Sequence, residues 1–374
     1  MNDSNQEYCL IYNFAQHYRA SIFKKMDTEL GFNFYFGDHL YWAPDIKEMD
    51  VRELAGFKKK VKNIRIFGGK FIWQKHTIGL VFKKYRHFVL YGDSGYLSNW
   101  IILLLCRILG KKTYLWTHGY KQKLTWKAKL LTYPFIGMSN KVLLYGNFAK
   151  NLMTQDGINE KKLVCIYNSL DYENQIKVRK QLTATRLYNE YFKNDLPVLI
   201  YIGRIQKSKK IDLVIDALDL LRKEGVVCNL VVVGEDKEQV NLELIAAEKD
   251  LEKNIWFYGP CYSEEKIGEL LYNADVCISP GNVGLTAVHS FVYGTPVITH
   301  SSFERQGPEF EIIQPGINGD FFKEGDIEDI SRTIKDWISL DAFQREKVRI
   351  SAYSIIDEKY NPNYQIAVLK DVLR

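Results

Sequence analysis

Pro197-Val-Leu-Ile-Tyr-Ile202-Gly203-Arg204 is the stretch whose reading decides the fold. A short apolar run bounded by a proline and a glycine reads as a fully buried strand. The segment after it, Ile211–Glu224, places Leu213, Ala217, Leu220 and Leu221 at helical spacing. Asn229-Leu-Val-Val-Val-Gly234 is a second buried strand, and a polar helix is expected over about 237–250. Strand Ile255–Tyr258, a helix over 263–273, strand Ala274–Ser279, helix Leu285–Tyr293 and strand Pro296–Thr299 continue the alternation. Strictly alternating strands and helices imply a parallel, doubly wound sheet. Ligands of such sheets sit at the carboxyl ends of the strands, so the loops after Ile202, Val233, Tyr258, Ser279 and Thr299 face one crevice.

Toward the N-terminus, Tyr8–Asn13, Phe32–Phe36, His87–Tyr91, Thr113–Trp116, Val142–Tyr145 and Val164–Tyr167 read as further strands, with helical patterns between several of them. Residues 38–85 show no assignable periodicity, and the polar stretch 171–196 carries the domain boundary. The expected organisation is a Rossmann-like domain over 1–185, a second over 186–340, and helices over 341–374, interrupted at Asn361-Pro362, that pack back on the first domain. The fold class is α/β, with two Rossmann-like doubly wound domains facing a cleft.

The 374 residues suit two domains, and 46% hydrophobic with 26% charged residues excludes general disorder. Six cysteines form no CxxC and seven histidines form no HExxH, which argues against a disulfide scaffold or a zinc site. The opening residues MNDSNQEYCLIYNF lack a basic stretch followed by a long apolar one, so no leader peptide is expected. The longest apolar run, Trp100–Leu105, is too short to span a bilayer. A reduced, cytoplasmic protein is expected.

Two loops of the second domain point to phosphate. Gly203-Arg204 ends a strand, and Lys207, Lys209 and Lys210 follow just before a helix; cations at that edge suit a phosphate group. Arg204, fixed at the strand end, is the stronger candidate, while Lys207 and Lys210 read as solvated loop lysines. Pro280-Gly-Asn-Val-Gly284-Leu285-Thr286 is the second element, where glycines permit close backbone approach and the amides of Gly284–Thr286 stand at a helix start.

The series Gly203-Arg204…Lys209-x-x-Asp212, Ala274-Asp275-Val…Ser279-Pro280, Gly284-Leu285-Thr286…Gly294-Thr295-Pro296-Val297 and Glu311-Ile-Ile…Gly316-x-x-Gly319 resembles the retaining GT-B glycosyltransferases of glycosyltransferase family 4 (group 1). The resemblance covers about residues 196–340; in the N-terminal half Trp116-Thr-His118-Gly119 is the best landmark. It implies a nucleotide-sugar site in the second domain, with Gly203, Arg204, Lys209, Asn282, Gly284, Leu285, Thr286, His289 and Glu311 binding the donor. It also implies an acceptor-binding first domain. His118, Arg204 and Lys209 carry the implied catalytic roles. His118 has two readings of equal weight: a group that approaches the donor sugar, or a histidine packed at a turn. The sequence departs from the family pattern where two glutamates usually stand eight positions apart, because Gly281 and His289 occupy those places. His289 retains the capacity to hydrogen-bond a ribose hydroxyl, and Asn282 is the nearest replacement for the missing carboxylate.

No two aspartates are separated by a single residue, so the DxD metal grip of the other large glycosyltransferase fold is missing and no metal or cofactor is expected. Between Asp93 and Asp156 there is no acid, while nine lysines and arginines fall in a chain whose net charge is +6. Lys121, Lys123, Trp126, Lys127 and Lys129 form a basic, aromatic stretch that reads as an interfacial helix on anionic lipid, or else as a solvated helix with its aromatics in the core. No nucleic-acid-binding signature appears.

The expected activity is metal-independent, retaining transfer of a hexosyl or N-acetylhexosaminyl group from a nucleotide-diphosphate sugar to a glycan or lipid-linked glycan. The setting the resemblance implies is bacterial surface polysaccharide biosynthesis, with the protein peripheral on the inner face of the plasma membrane. The rival readings are a non-catalytic nucleotide-sugar-binding or scaffold subunit and a GT-B nucleotide-sugar epimerase.

Overall fold

The computed structural model describes residues 7–374, and the chain divides into two units, Met1–Asp171 with Asn361–Arg374, and Tyr172–Tyr360. The first six residues, on which part of the leader reading rests, lie outside the described residues.

The first unit holds strands β1 (Tyr8–Tyr12), β2 (Asn33–Gly37), β3 (Phe57–Val61), β4 (Asn63–Ile66), β5 (Phe71–Gln74), β6 (His87–Tyr91), β7 (Lys112–Thr117), β8 (Lys141–Leu144) and β9 (Leu163–Cys165). Its helices are α1 (Ala20–Leu30), α2 (Leu97–Ile108), α3 (Trp126–Met138) and α4 (Asn147–Gln155). Seven strands form one sheet in the order β3-β2-β1-β6-β7-β8-β9, all pairs parallel, and β4–β5 is a separate antiparallel hairpin.

The second unit begins with α5 (Tyr172–Arg179) and α6 (Leu187–Phe192). It continues with β10 (Val198–Ile202), α7 (Asp212–Lys223), β11 (Asn229–Val233), α8 (Leu242–Ala247), β12 (Ile255–Gly259), α9 (Glu264–Asn273), β13 (Val276–Ser279), α10 (Thr286–Val292), β14 (Val297–His300), β15 (Gly319–Phe322), α11 (Ile327–Ile338) and α12 (Ala342–Glu358). Its sheet is wholly parallel, in the order β12-β11-β10-β13-β14-β15. Leu199, Ile200, Leu230, Val231, Val276 and Ile278 are fully buried, as expected of central strands covered on both faces. Two parallel, helix-covered sheets are therefore the architecture, and the predicted strand ends hold to within about two residues.

Four expectations change. The division falls after Asp171 instead of after 185, because α5 packs on α9 and α10, whose burial it completes. The C-terminal segment splits between the units. Helix α12 buries Val348, Ala352 and Ile356 and stays with the second unit, where Arg345 pairs with Asp275. Only the last helix, α13 (Pro362–Val372), packs on α1 of the first. There Gln365 donates to the Tyr167 carbonyl at 2.9 Å, and Lys370 pairs with Glu29 at 2.7 Å. The helix expected over 237–250 shrinks to α8, because Asp236 accepts the amides of Glu238 and Asn241 and holds the preceding residues in a turn. Finally, residues 38–85 contain an edge strand, β3, whose Phe-Lys-Lys-Lys-Val sequence hides it: three exposed lysines guard the open edge against pairing with another chain.

Candidate active site

At the carboxyl edge of the second sheet the chain leaves β10 through Gly203, whose φ of +148° suits glycine and few other residues. Its carbonyl lies so close to Gly234 that a Cβ there would stand 1.9 Å away. The Tyr201 hydroxyl donates to the Arg204 carbonyl at 2.8 Å and pins the turn. Lys209 then closes a short 3-10 turn, and its ammonium reaches across to donate to the carbonyl of Asn282 in the loop after β13. Burial, reinforced by the neighbouring Arg204 guanidinium, pushes the Lys209 ammonium down to about 8, against the upward pull of the Glu309 carboxylate. The structure thus brings Arg204 and Lys209 together and sets Lys209 against the glycine loop.

The other two lysines behave as loop residues. Lys207 is exposed. Lys210 adopts a left-handed backbone, φ +52° and ψ +39°, and pairs with Glu324 at 2.6 Å. It takes a conformation that glycine favours, and the ion pair anchors it there.

The glycine loop is braced from behind. Gln306 accepts the Val283 amide at 2.9 Å and donates to Thr299 Oγ1 at 2.9 Å and the His300 carbonyl at 3.0 Å. Asn282 spends its side-chain amide on the Arg305 carbonyl at 3.2 Å. Gly281 is buried against the lysine turn: a Cβ on it would meet the Ser208 carbonyl oxygen at 2.5 Å and Lys209 Cα at 2.8 Å. As the loop stands, this packing leaves no room for a side chain at 281.

Of the three amides expected to be open, that of Thr286 is engaged, donating to Val283 at 3.2 Å, while its hydroxyl bonds the Ile202 carbonyl at 3.2 Å. Thr286 therefore ties two loops together. Gly284, at φ +50°, and Leu285 remain at the mouth of α10.

His289 lies one turn into α10, and its ring is committed. Nε2 stands 2.8 Å from Oε1 of Glu264, which also accepts from the Tyr293 hydroxyl at 2.6 Å and Gln175 Nε2 at 3.0 Å. These donors hold the Glu264 carboxyl down at about 2 despite its partial burial. Sequence reasoning missed Glu264, because nothing local in Ser-Glu-Glu-Lys announces a partner 25 residues on. It also ranked Glu311 over Glu309. Glu311 is partly exposed, whereas Glu309 is 4% exposed and lies close enough to raise Lys209.

In the first unit His118 follows β7, its ring 4.8 Å from that of Tyr145. The recess and the charges of Arg19 and Lys121 hold its pKa well below the ordinary imidazole value. Desolvation around the ring contributes most to that shift and the two cations add to it, although part of the residue stays exposed to solvent. Lys121, Lys123 and Lys127 are exposed, and so is Trp126, at 68%. The alternative of a core-packed Trp126 is thereby removed. Lys129 differs from its neighbours: it is paired with Asp156 at 3.0 Å.

Residues 185–354 match the family model described as glycosyl transferases group 1. That span holds every donor-side residue discussed above. Among curated proteins, the GDP-mannose-dependent alpha-(1-6)-phosphatidylinositol dimannoside mannosyltransferase of Mycobacterium tuberculosis is 34% identical over 104 residues, 27% of this chain and 26% of that protein. The alpha-D-kanosaminyltransferase of Streptomyces kanamyceticus is 23% identical over 117 residues, 30% of each chain. The chain thus matches only about a quarter to a third of the length of these relatives. Among solved structures, a glycosyltransferase from Rickettsia africae superposes with a TM-score of 0.72 at 15% identity, covering 98% of this chain and 99% of that one. Anabaena HepE, solved with UDP, gives 0.69 at 14% identity over 98% and 99%. The fold is therefore the GT-B fold of these proteins, and residues 185–354 carry the match to group 1 glycosyl transferases.

Proposed function

We propose that the chain is a glycosyltransferase that moves a sugar, with retention at the anomeric carbon and without a metal, from a nucleoside-diphosphate donor to a glycan or lipid-linked glycan. The observation that carries this reading is Lys209. It is a partly desolvated cation beside Arg204, anchored on the glycine loop of the region that matches group 1 glycosyl transferases. Charge develops on the diphosphate as the bond from the sugar C1 to the phosphate oxygen breaks, and the partly desolvated Lys209, with the exposed Arg204 beside it, stabilises it. The acceptor oxygen bonds to C1 on the same face, and its proton passes to the departing phosphate oxygen, so no separate base is required. The second unit serves the donor and the first the acceptor, with His118 as a neutral imidazole on the acceptor side.

The basic surface of the first unit supports an anionic membrane as the place of work. Trp126, Leu130 and Leu131 on α3 are exposed at 68, 65 and 51%, and Ile101, Leu104 and Ile108 on the adjoining α2 at 37, 50 and 69%. Apolar side chains among lysines suit a lipid interface. Among the described residues no helix is long and apolar enough to cross a membrane. A role at the cytoplasmic face in assembling a bacterial surface polysaccharide fits these features.

The test is release of nucleoside diphosphate from a panel of UDP-, GDP-, dTDP- and ADP-sugars with lipid-linked acceptors, repeated in EDTA. Donor-dependent release that survives chelation is expected; loss on chelation overturns the metal-free mechanism. One observation favours a second reading, a nucleotide-sugar-binding subunit without turnover: the packing around Gly281 leaves no room for a carboxylate. Calorimetric donor binding with no turnover on any acceptor selects that reading.

A further inference from the structure

Four residues converge at α10: Gln175 of α5, Glu264 at the first position of α9, His289 of α10, and Tyr293, the C-cap of α10, four residues on from His289. All three donors converge on one carboxylate oxygen, Oε1 of Glu264, at 3.0, 2.8 and 2.6 Å. Oε2 receives none of them, and the side chain stays 22% exposed. Here one oxygen fixes the carboxylate and the other is left to accept.

The tautomer follows from the same geometry. Glu264 is ionised and can only accept, so His289 Nε2 carries the proton it shares with Oε1. The imidazole is thereby locked, with Nδ1 directed away from the carboxylate. His289 sits one turn beyond the loop, its amide bonded to the Leu285 carbonyl at 2.9 Å, so about 6 Å of helix axis separates it from the loop residues. The sugar hydroxyls of a nucleotide lie on that scale from its phosphates.

We infer that Glu264, held by His289, Tyr293 and Gln175, accepts hydrogen bonds from the ribose hydroxyls of the donor nucleotide and makes the site select ribonucleotides over 2′-deoxyribonucleotides. The inference rests on the donor site proposed above and adds the residue that reads the ribose. The carboxylate arrives from the start of α9 because the position on α10 that would deliver one directly is His289. A charge-assisted hydrogen bond is worth enough to give a preference of about tenfold or more.

The experiment is isothermal titration calorimetry of UDP against 2′-deoxy-UDP, and of GDP against 2′-deoxy-GDP, on wild type, Glu264→Gln and Tyr293→Phe. Each protein's melting temperature is measured alongside, and pyrophosphate serves as the phosphate-only probe. The wild type should favour the ribose form at least tenfold for the base it accepts. Glu264→Gln should bring that ratio within twofold while leaving pyrophosphate affinity unchanged. Tyr293→Phe, which removes one tether but keeps the carboxylate, should lower the melting temperature and preserve most of the ratio. If Glu264→Gln does not fold, Glu264→Asp, which withdraws the carboxylate by one methylene, is read the same way. An unchanged ratio in the Glu264 variant, or a wild type that binds both sugars equally, overturns the inference and leaves the donor site standing. A wild type that binds neither the nucleotides nor pyrophosphate overturns both.

Discussion

The two sheets share a parallel topology, yet their carboxyl edges are built from opposite materials. In the first unit the edge is aromatic and closed. Tyr12, Trp116 and Tyr145 surround the Arg19 guanidinium, whose carbon lies 5.6, 5.5 and 4.9 Å from their ring centres, and the Tyr12 and Tyr145 hydroxyls stand 3.1 Å apart. In the second unit the edge is made of glycines and loop cations, with Gly203 and Gly284 at positive φ and Gly281 packed against the turn that carries Lys209. A diphosphate asks only for charge and close backbone approach, which small residues provide. Rings packed around a buried cation make a closed, rigid edge instead.

The sharpest way to break this contrast is to remove the cation that defines the second edge. Lys209→Ala should lower turnover by about 10²–10³-fold, the scale of losing one preorganised charge-stabilising donor. Steady-state kinetics on the preferred donor reads the loss, and the same measurement on Lys207→Ala, an exposed loop lysine, should show little change. Equal effects from the two would mean that the edge works by diffuse positive charge and that the built geometry around Lys209 is irrelevant.

The next effect sharpens the claim that glycine at 281 is a structural requirement. Gly281→Ala places a methyl 2.5 Å from the Ser208 carbonyl oxygen, and Gly281→Glu adds the carboxylate of the family pattern to the same clash. Both should destabilise the second unit by about 1–3 kcal/mol, as overpacking typically does. Chemical denaturation provides the comparison. A glutamate variant as stable as wild type and faster in turnover would show that the loop relaxes and that the missing carboxylate was merely lost.

A smaller effect tests the electrostatics. Burial holds the Lys209 ammonium at about 8, so the charge is fully present below that pH and is lost as pH rises through it. Nucleoside diphosphate affinity should therefore fall above pH 8, approaching tenfold between pH 7.5 and 9, a scale set by the one charge involved. Calorimetry near pH 9 in buffers of different ionisation enthalpy should also reveal proton uptake on binding. An affinity that stays flat to pH 9.5 would place the lysine in solvent.

These contrasts also explain what was legible beforehand. Strands β10, β11 and β12 are largely apolar runs ended by Gly203, Gly234 and Gly259, and β13 and β14 are short runs beside a proline, so residues 197–300 read almost element by element. The first sheet's edge strand β3 escaped because its composition answers the problem of an open edge, not the needs of a core. Arg204 and Lys209 could be paired as candidates beforehand because both lie on the one loop after β10. Glu264 and Glu309 could not, since each meets its partner only after folding brings separate loops together. The fate of α12 turned on a face whose buried Val348, Ala352 and Ile356 carry no mark of which unit they will cover.

The mildest prediction concerns the lysines outside both edges. Lys123 is exposed beside Trp126, whereas Lys129 is paired with Asp156 at 3.0 Å. If the outer face of α3 meets anionic lipid, Lys123→Gln should weaken binding to phosphatidylcholine vesicles containing phosphatidylglycerol by about fivefold, the value of roughly 1 kcal/mol per basic residue near such a surface. Lys129→Gln should do less at the membrane, because its charge is already answered within the protein. Flotation assays measure both, with salt as a control that should erase the difference. Binding that ignores phosphatidylglycerol, or that responds equally to the two lysines, would remove charge from the account and leave Trp126, Leu130 and Leu131 as the whole of the contact.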